Sequence, residues 1–130
     1  MRLDIKKISN ILSKDKRIIF AYLYGSSLKQ KEYNDIDIAI YLNDQNIDSV
    51  FSIDIQIALY EHTNIVADFF DVKIINDLLN IGDIFTLIYL KKIFETNCLL
   101  VDNDFDVRTN YIEKFNIKYF ECEGMINQII

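Results

Sequence analysis

Leu3, Ile5, Ile8, Ile11 and Leu12 recur at steps of about three to four residues with Lys and Asp between them, a spacing that predicts an amphipathic helix over residues 3 to 14. The pattern then changes to an unbroken β-branched and aromatic run, RIIFAYLY at residues 17 to 24, which ends at Gly25 and predicts a buried strand delivered into a turn. IDIAIYL at 36 to 42 reads as a second strand. Residues 48 to 63, DSVFSIDIQIALYEHT, have the length of a helix, with Val50, Ile53, Ile57 and Tyr60 along one side and Asp48 placed to cap it. IVADFFDV at 65 to 72 predicts a third strand, and 74 to 96 a helical stretch broken near Asn80-Ile81-Gly82. Cys98 to Val101 fits a short strand. From Asn103 onward, Ile112, Phe115, Tyr119, Cys122, Ile126 and Ile129 keep helical spacing, with Gly124 the weak point of that final helix. Such a stripe packs into a core or, in a chain with little core to offer, forms a partner-binding groove.

Strands alternating with helices, and no repeat or Pro-rich linker, make this one α/β domain. At 130 residues, about half of them apolar, the chain can bury a core but has no room for a second substrate-binding domain. A bulky acceptor must therefore sit in a surface cleft or be brought by a partner. The net charge of −6 argues against bulk nucleic-acid binding, which needs clustered Lys and Arg. An acidic chain still accommodates a triphosphate when divalent cations lie between its carboxylates and the phosphates. Cys98, Cys122 and the single His62 make neither a disulfide framework nor a zinc signature. The charged N-terminus resembles neither a signal peptide nor a membrane span, so the expected location is cytoplasmic.

The chemistry concentrates in AYLYGSSLKQKEYNDIDIAIYL, residues 21 to 42. Gly25 lacks a Cβ, so the backbone there can turn sharply and approach a phosphate. If Ser26 opens a short helix, its hydroxyl and the neighbouring free N–H groups point at an anion; a plain turn with an N-cap is the simpler use of the same pair. Asp35 and Asp37 alternate on one face at the start of a strand while Ile36 and Ile38 take the other. Converging carboxylates of this kind hold two metal ions that clamp the attacking and leaving oxygens of an in-line displacement at phosphorus. A third carboxylate is wanted, and Asp68 stands within an apolar stretch, where a charge is costly unless paired or metal-bound. On a strand over 65 to 72, Asp71 would face away from it.

Other candidates read more simply. Asp102, Asp104 and Asp106 with Glu113 reproduce the acidic spacing of a calcium loop, but Val107 stands where that turn requires Gly, so an acidic helix start is preferred. His62 reads as a surface or capping residue. Lys29 and Lys31 are loop lysines within reach of a phosphate, though such residues are usually just solvated.

The order of strand, Gly25-Ser26, spacer, Asp35-x-Asp37 and a later strand aspartate, Asp68, resembles the nucleotidyltransferase superfamily that includes DNA polymerase beta, and especially its minimal nucleotidyltransferase branch. The resemblance implies a single nucleotidyltransferase-fold domain over residues 1–130, a small mixed sheet flanked by helices, with the final helix at about 103–130 available to a partner. It implies that Gly25 and Ser26 bind the nucleotide, that Asp35, Asp37 and Asp68 are catalytic and bind metal, with two Mg²⁺ ions or Mn²⁺, and that ATP is the substrate. It further implies an antitoxin that transfers AMP to a tyrosine of a partner HEPN-domain toxin. The spacer at residues 27 to 34 is shorter than is common, and Lys29-Gln30 stand where an Arg-Gly pair is frequent. A small-molecule acceptor such as an aminoglycoside, or an antitoxin that acts by contact alone through its C-terminal stripe, are the alternatives.

Overall fold

The computed structural model describes residues 4–25, 35–43, 50–95 and 97–129. Ser26 and the rest of the spacer, with Lys29 and Lys31, lie outside the described residues, as does Asp48.

Helix α1, Ile5–Ser13, begins where the carboxylate of Asp4 accepts the backbone N–H of Lys7 at 3.0 Å and turns Ile8 and Leu12 inward. Strands β1 (Ile18–Tyr24) and β2 (Ile36–Leu42) follow the two apolar runs closely. Helix α2 is Phe51–Thr63 and ends at Asn64 in the left-handed region, φ 60°. A 3-10 turn at Ala67–Phe69 precedes β3, Phe70–Ile74. Helices α3 (Leu78–Ile81) and α4 (Ile84–Glu95) are separated at Gly82, which adopts φ 59°, a backbone conformation that favours glycine. Strand β4, Asn97–Asp102, leads into the long helix α5, Phe105–Ile129.

The four strands form one mixed sheet in the order β3-β2-β1-β4, with β2 and β3 parallel and the other pairs antiparallel. Alternation along the strands divides the core into two layers. Leu23, Ile36, Ile38, Ile40, Phe70 and Val72 meet α1 and α2 on one face. Phe20, Tyr22, Tyr24 and Ala39 meet α3, α4 and α5 on the other. β1 is central and buried almost throughout, which explains why its sequence is apolar without alternation. The Asn76 side-chain amide bonds both the N–H and the carbonyl of Leu42, at 2.8 and 2.7 Å, and fixes the end of β2. Among the described residues no helix is long and apolar enough to cross a membrane.

Three expectations change. In α2 the buried residues are Phe51, Ile55 and Leu59, whereas Val50, Ile53, Ile57 and Tyr60 are exposed; the helix has apolar residues on both sides, and the sheet selects the set four residues apart. In the segment expected to be a strand over 65 to 72, the chain first makes the 3-10 turn, with Phe69 N–H donating to the Val66 carbonyl at 2.9 Å. The Gln56 side chain braces this turn by donating to the Phe70 carbonyl at 2.6 Å. The stripe of α5 is core: Phe115 and Ile126 are buried, Ile112, Tyr119 and Cys122 partly so, and Ile129 alone of that set is exposed. α5 also leaves other apolar residues exposed, among them Ile117, Phe120 and Met125.

Candidate nucleotide-transfer site

Gly25 closes β1 with φ 86°, a conformation that glycine adopts without strain. A Cβ built there would overlap the Oδ2 of Asp37, so the missing side chain also makes room for that carboxylate against the backbone. The register explains the approach. Tyr24 of β1 lies opposite Asp37 of β2, and Asp37 lies opposite Asp71 of β3. Residues directly across a ladder project to the same face, here the face that α4 covers, since Ile36, Ile38, Phe70 and Val72 take the other. Tyr24, Asp37 and Asp71 thus form one row across three strands, with Asp35 exposed at the entry to β2.

Asp37 is half-buried, and its carboxyl is held above the ordinary range, first by burial and then by the charges of Asp71 and Asp35. Tyr24 and Tyr89, the latter from α4, bond each other through their hydroxyls and stack edge to face, ring centroids 6.1 Å apart at 88°. Both phenols are raised, mainly by burial, and both feel Asp37 and Asp71.

Asp35 and Asp37 therefore stand near each other as expected. Asp68 does not join them: it is exposed in the 3-10 turn, off the strand. Asp71 was expected to face away, yet it lies across from Asp37, because β3 starts at Phe70 and the alternation is reset there. Tyr24 carried a sequence signal, its place directly before Gly25. Tyr89 carried none, since only the tertiary fold brings α4 to the end of β1.

Three carboxylates interacting through charge are an oxygen donor set of the kind that hard divalent cations take. Asp35, Asp37 and Asp71 fit such an ion in chemistry. Among the described residues, however, no three His, Cys, Asp or Glu side chains are already gathered to ligating distance. A separate cleft of about 410 Å³ lies at the opposite end of β1, between α1 and α2, lined by Lys14, Lys16, Arg17 and His62 among others. Its carboxylate, Asp15, is paired with Arg17 at 2.8 Å, so it offers no acidic centre. His62 donates from Nδ1 to the Ala58 carbonyl at 2.8 Å, a helix-end role. The acidic run also has structural uses: Asp102 pairs with Arg108 at 3.0 Å, and Asp104 accepts the N–H of Val107 at 3.2 Å at the start of α5.

Residues 6–106 match the family Polymerase beta, Nucleotidyltransferase. The chain belongs to that family, and the class of protein defined by fold and site is a nucleotidyltransferase. No curated relative matches it. Among solved structures it is similar to a chain of a mutant MntA toxin–antitoxin complex, at 16% identity and TM-score 0.65 over 98% of each chain. It is similar to a chain of a toxin–antitoxin complex with AMP-PNP, at 17% identity and TM-score 0.64 over 98% of each. It is also similar to a chain of the tri-AMPylated Shewanella oneidensis HEPN toxin in complex with its MNT antitoxin, at 16% identity and TM-score 0.59, over 97% of this chain and 98% of that one.

Proposed function

We propose that this protein transfers AMP from ATP to a tyrosine hydroxyl of a HEPN-domain toxin and so acts as its antitoxin. The observation that carries the reading is the row of Tyr24, Asp37 and Asp71 across three strands, with the backbone of Gly25 pressed against the Asp37 carboxylate. The fold's likeness to chains from a complex of an MNT antitoxin with an AMPylated HEPN toxin and from a toxin–antitoxin complex with AMP-PNP supports the choice of nucleotide and partner.

In this reading Asp35, Asp37 and Asp71 hold divalent metal, and Asp71 takes the third place that the sequence suggested for Asp68. When bound, Mg²⁺ or Mn²⁺ supplies positive charge to the phosphates and the leaving pyrophosphate. Gly25, with Ser26 beyond it, leaves the backbone free to approach the triphosphate. The acceptor oxygen attacks the α-phosphorus, the bond from that phosphorus to the bridging oxygen of the β-phosphate breaks, and pyrophosphate departs with that electron pair. Asp71, on the exposed edge strand β3, accepts the proton lost by the attacking hydroxyl. The expected location is cytoplasmic.

The test is to incubate the protein with a HEPN-domain partner, ATP and Mg²⁺, and to weigh the partner by intact mass spectrometry. A gain of AMP that disappears with Asp35→Asn/Asp37→Asn supports the reading. A partner neutralised without any gain in mass overturns it in favour of inhibition by contact.

A further inference from the structure

Tyr24 and Tyr89 are unusual neighbours for a carboxylate row. Their hydroxyls bond each other, and two hydroxyls carry two protons while only one lies between them. Whichever phenol donates, the other O–H remains to be given to a third group. Both rings are partly or fully buried, so a donor left without an acceptor is costly. No protein acceptor for that second proton is found among the described residues. Two further observations fix where it can go. Tyr24 is the direct cross-strand neighbour of Asp37, and Tyr89 feels the charges of Asp71 and Asp37, so the pair borders the space in which the carboxylates converge. The face is covered by α4, which otherwise contributes Leu87, Leu90 and Ile93 to the core. Tyr89 is therefore the point at which this helix reaches the site.

We propose that Tyr89, held in place by Tyr24, is a positioning residue that donates a hydrogen bond to a phosphate oxygen of the bound nucleoside triphosphate. The proposal rests on the nucleotidyltransferase reading above. The edge-to-face contact with Tyr24 fixes the Tyr89 ring, so little side-chain freedom is lost when the hydroxyl meets its anion. A phenol suits this place better than a lysine would, because it gives a donor to the phosphate without adding a cation that would compete with metal ions for the carboxylates.

The experiment compares Tyr89→Phe with the wild-type chain in transfer assays over a range of ATP concentrations, alongside thermal unfolding. Phe keeps the ring contact and removes only the hydroxyl. The expected result is a KM for ATP raised about tenfold, the usual scale for a hydrogen bond to a charged group, with kcat much less affected; the unfolding midpoint falls modestly, because the buried Tyr24 hydroxyl loses its partner. Tyr24→Phe, which keeps the Tyr89 donor but loses its anchor, is expected to raise KM by less. A purely structural pair would lower the unfolding midpoint in both variants and leave KM unchanged, and that result overturns the proposal. Transfer by the wild type with unchanged KM in Tyr89→Phe overturns it too but leaves the nucleotidyltransferase reading standing. A wild-type chain that transfers from no nucleoside triphosphate overturns both.

Discussion

At the scale of single residues, Gly25 has two separate reasons to be glycine, its positive φ and the carboxylate that occupies the place of a side chain. Gly25→Ala is expected to cost about 1–3 kcal/mol through backbone strain and, because Asp37 must move, to remove most transfer activity; urea unfolding and an AMP-transfer assay check the two halves. The aspartates give a sharper comparison. Asp71→Asn is expected to slow transfer by about 10²-fold or more, the scale of a lost proton acceptor, while Asp68→Asn stays within a few-fold of wild type; the reverse order would return the third role to Asp68. Asp37 was legible in the sequence because it sits inside the apolar run that becomes β2; Asp35 stands just before that strand and is tied to Asp37 through its charge rather than through strand alternation. The carboxylate that lies across from Asp37 was not, because its face depends on where β3 starts, and a short 3-10 turn stabilised by Gln56 moved that start past Asp68.

At the scale of elements, the boundaries of β1 and β2 could be read almost to the residue, since a continuous β-branched run ending in glycine has few other uses. The burial face of α2 could not. With Ile at 53, 55 and 57 and apolar residues around them, the sequence offers two candidate faces, and only docking on the sheet chooses Phe51, Ile55 and Leu59. The long helix α5 gives the corresponding test of packing. Phe115 is 4% exposed within the α4 layer and Phe120 is 77% exposed on the outer side. Phe115→Ala is expected to cost about 3–5 kcal/mol, and Phe120→Ala to stay within about 0.5 kcal/mol of wild type, both measured by urea unfolding of the isolated chain. Equal losses would mean that the outer face of α5 is also part of this protein's own core.

At the scale of the whole molecule, the site is a concentration of negative charge in a protein that is already acidic. Asp37 holds its proton to higher pH in the folded state than in the unfolded chain, owing to burial and to Asp71 and Asp35. The folded state therefore binds more protons in the window just above the ordinary carboxylate value of 3.8, and stability falls as pH rises through it. With a metal chelator present, Asp37→Asn is expected to unfold at a higher temperature than wild type at neutral pH, with the gap narrowing on acidification toward that value. Mg²⁺ should reverse the order: the wild type gains about 2.7 kcal/mol at a hundredfold excess over its Kd, and the variant gains much less. A variant that is no more stable than wild type in chelator would contradict this account of the site's electrostatics.

The proposed function stands on transfer of the nucleotide itself. It is tested most directly by offering the protein and a HEPN-domain partner two preparations of ATP in Mg²⁺, one carrying a radiolabel on the α-phosphate and the other on the γ-phosphate. The expected result is that the α label becomes attached to a tyrosine of the partner, that the γ label leaves in pyrophosphate, and that Asp37→Asn abolishes the attachment. Attachment of the γ label, or none of either label while the partner is still neutralised, would contradict it.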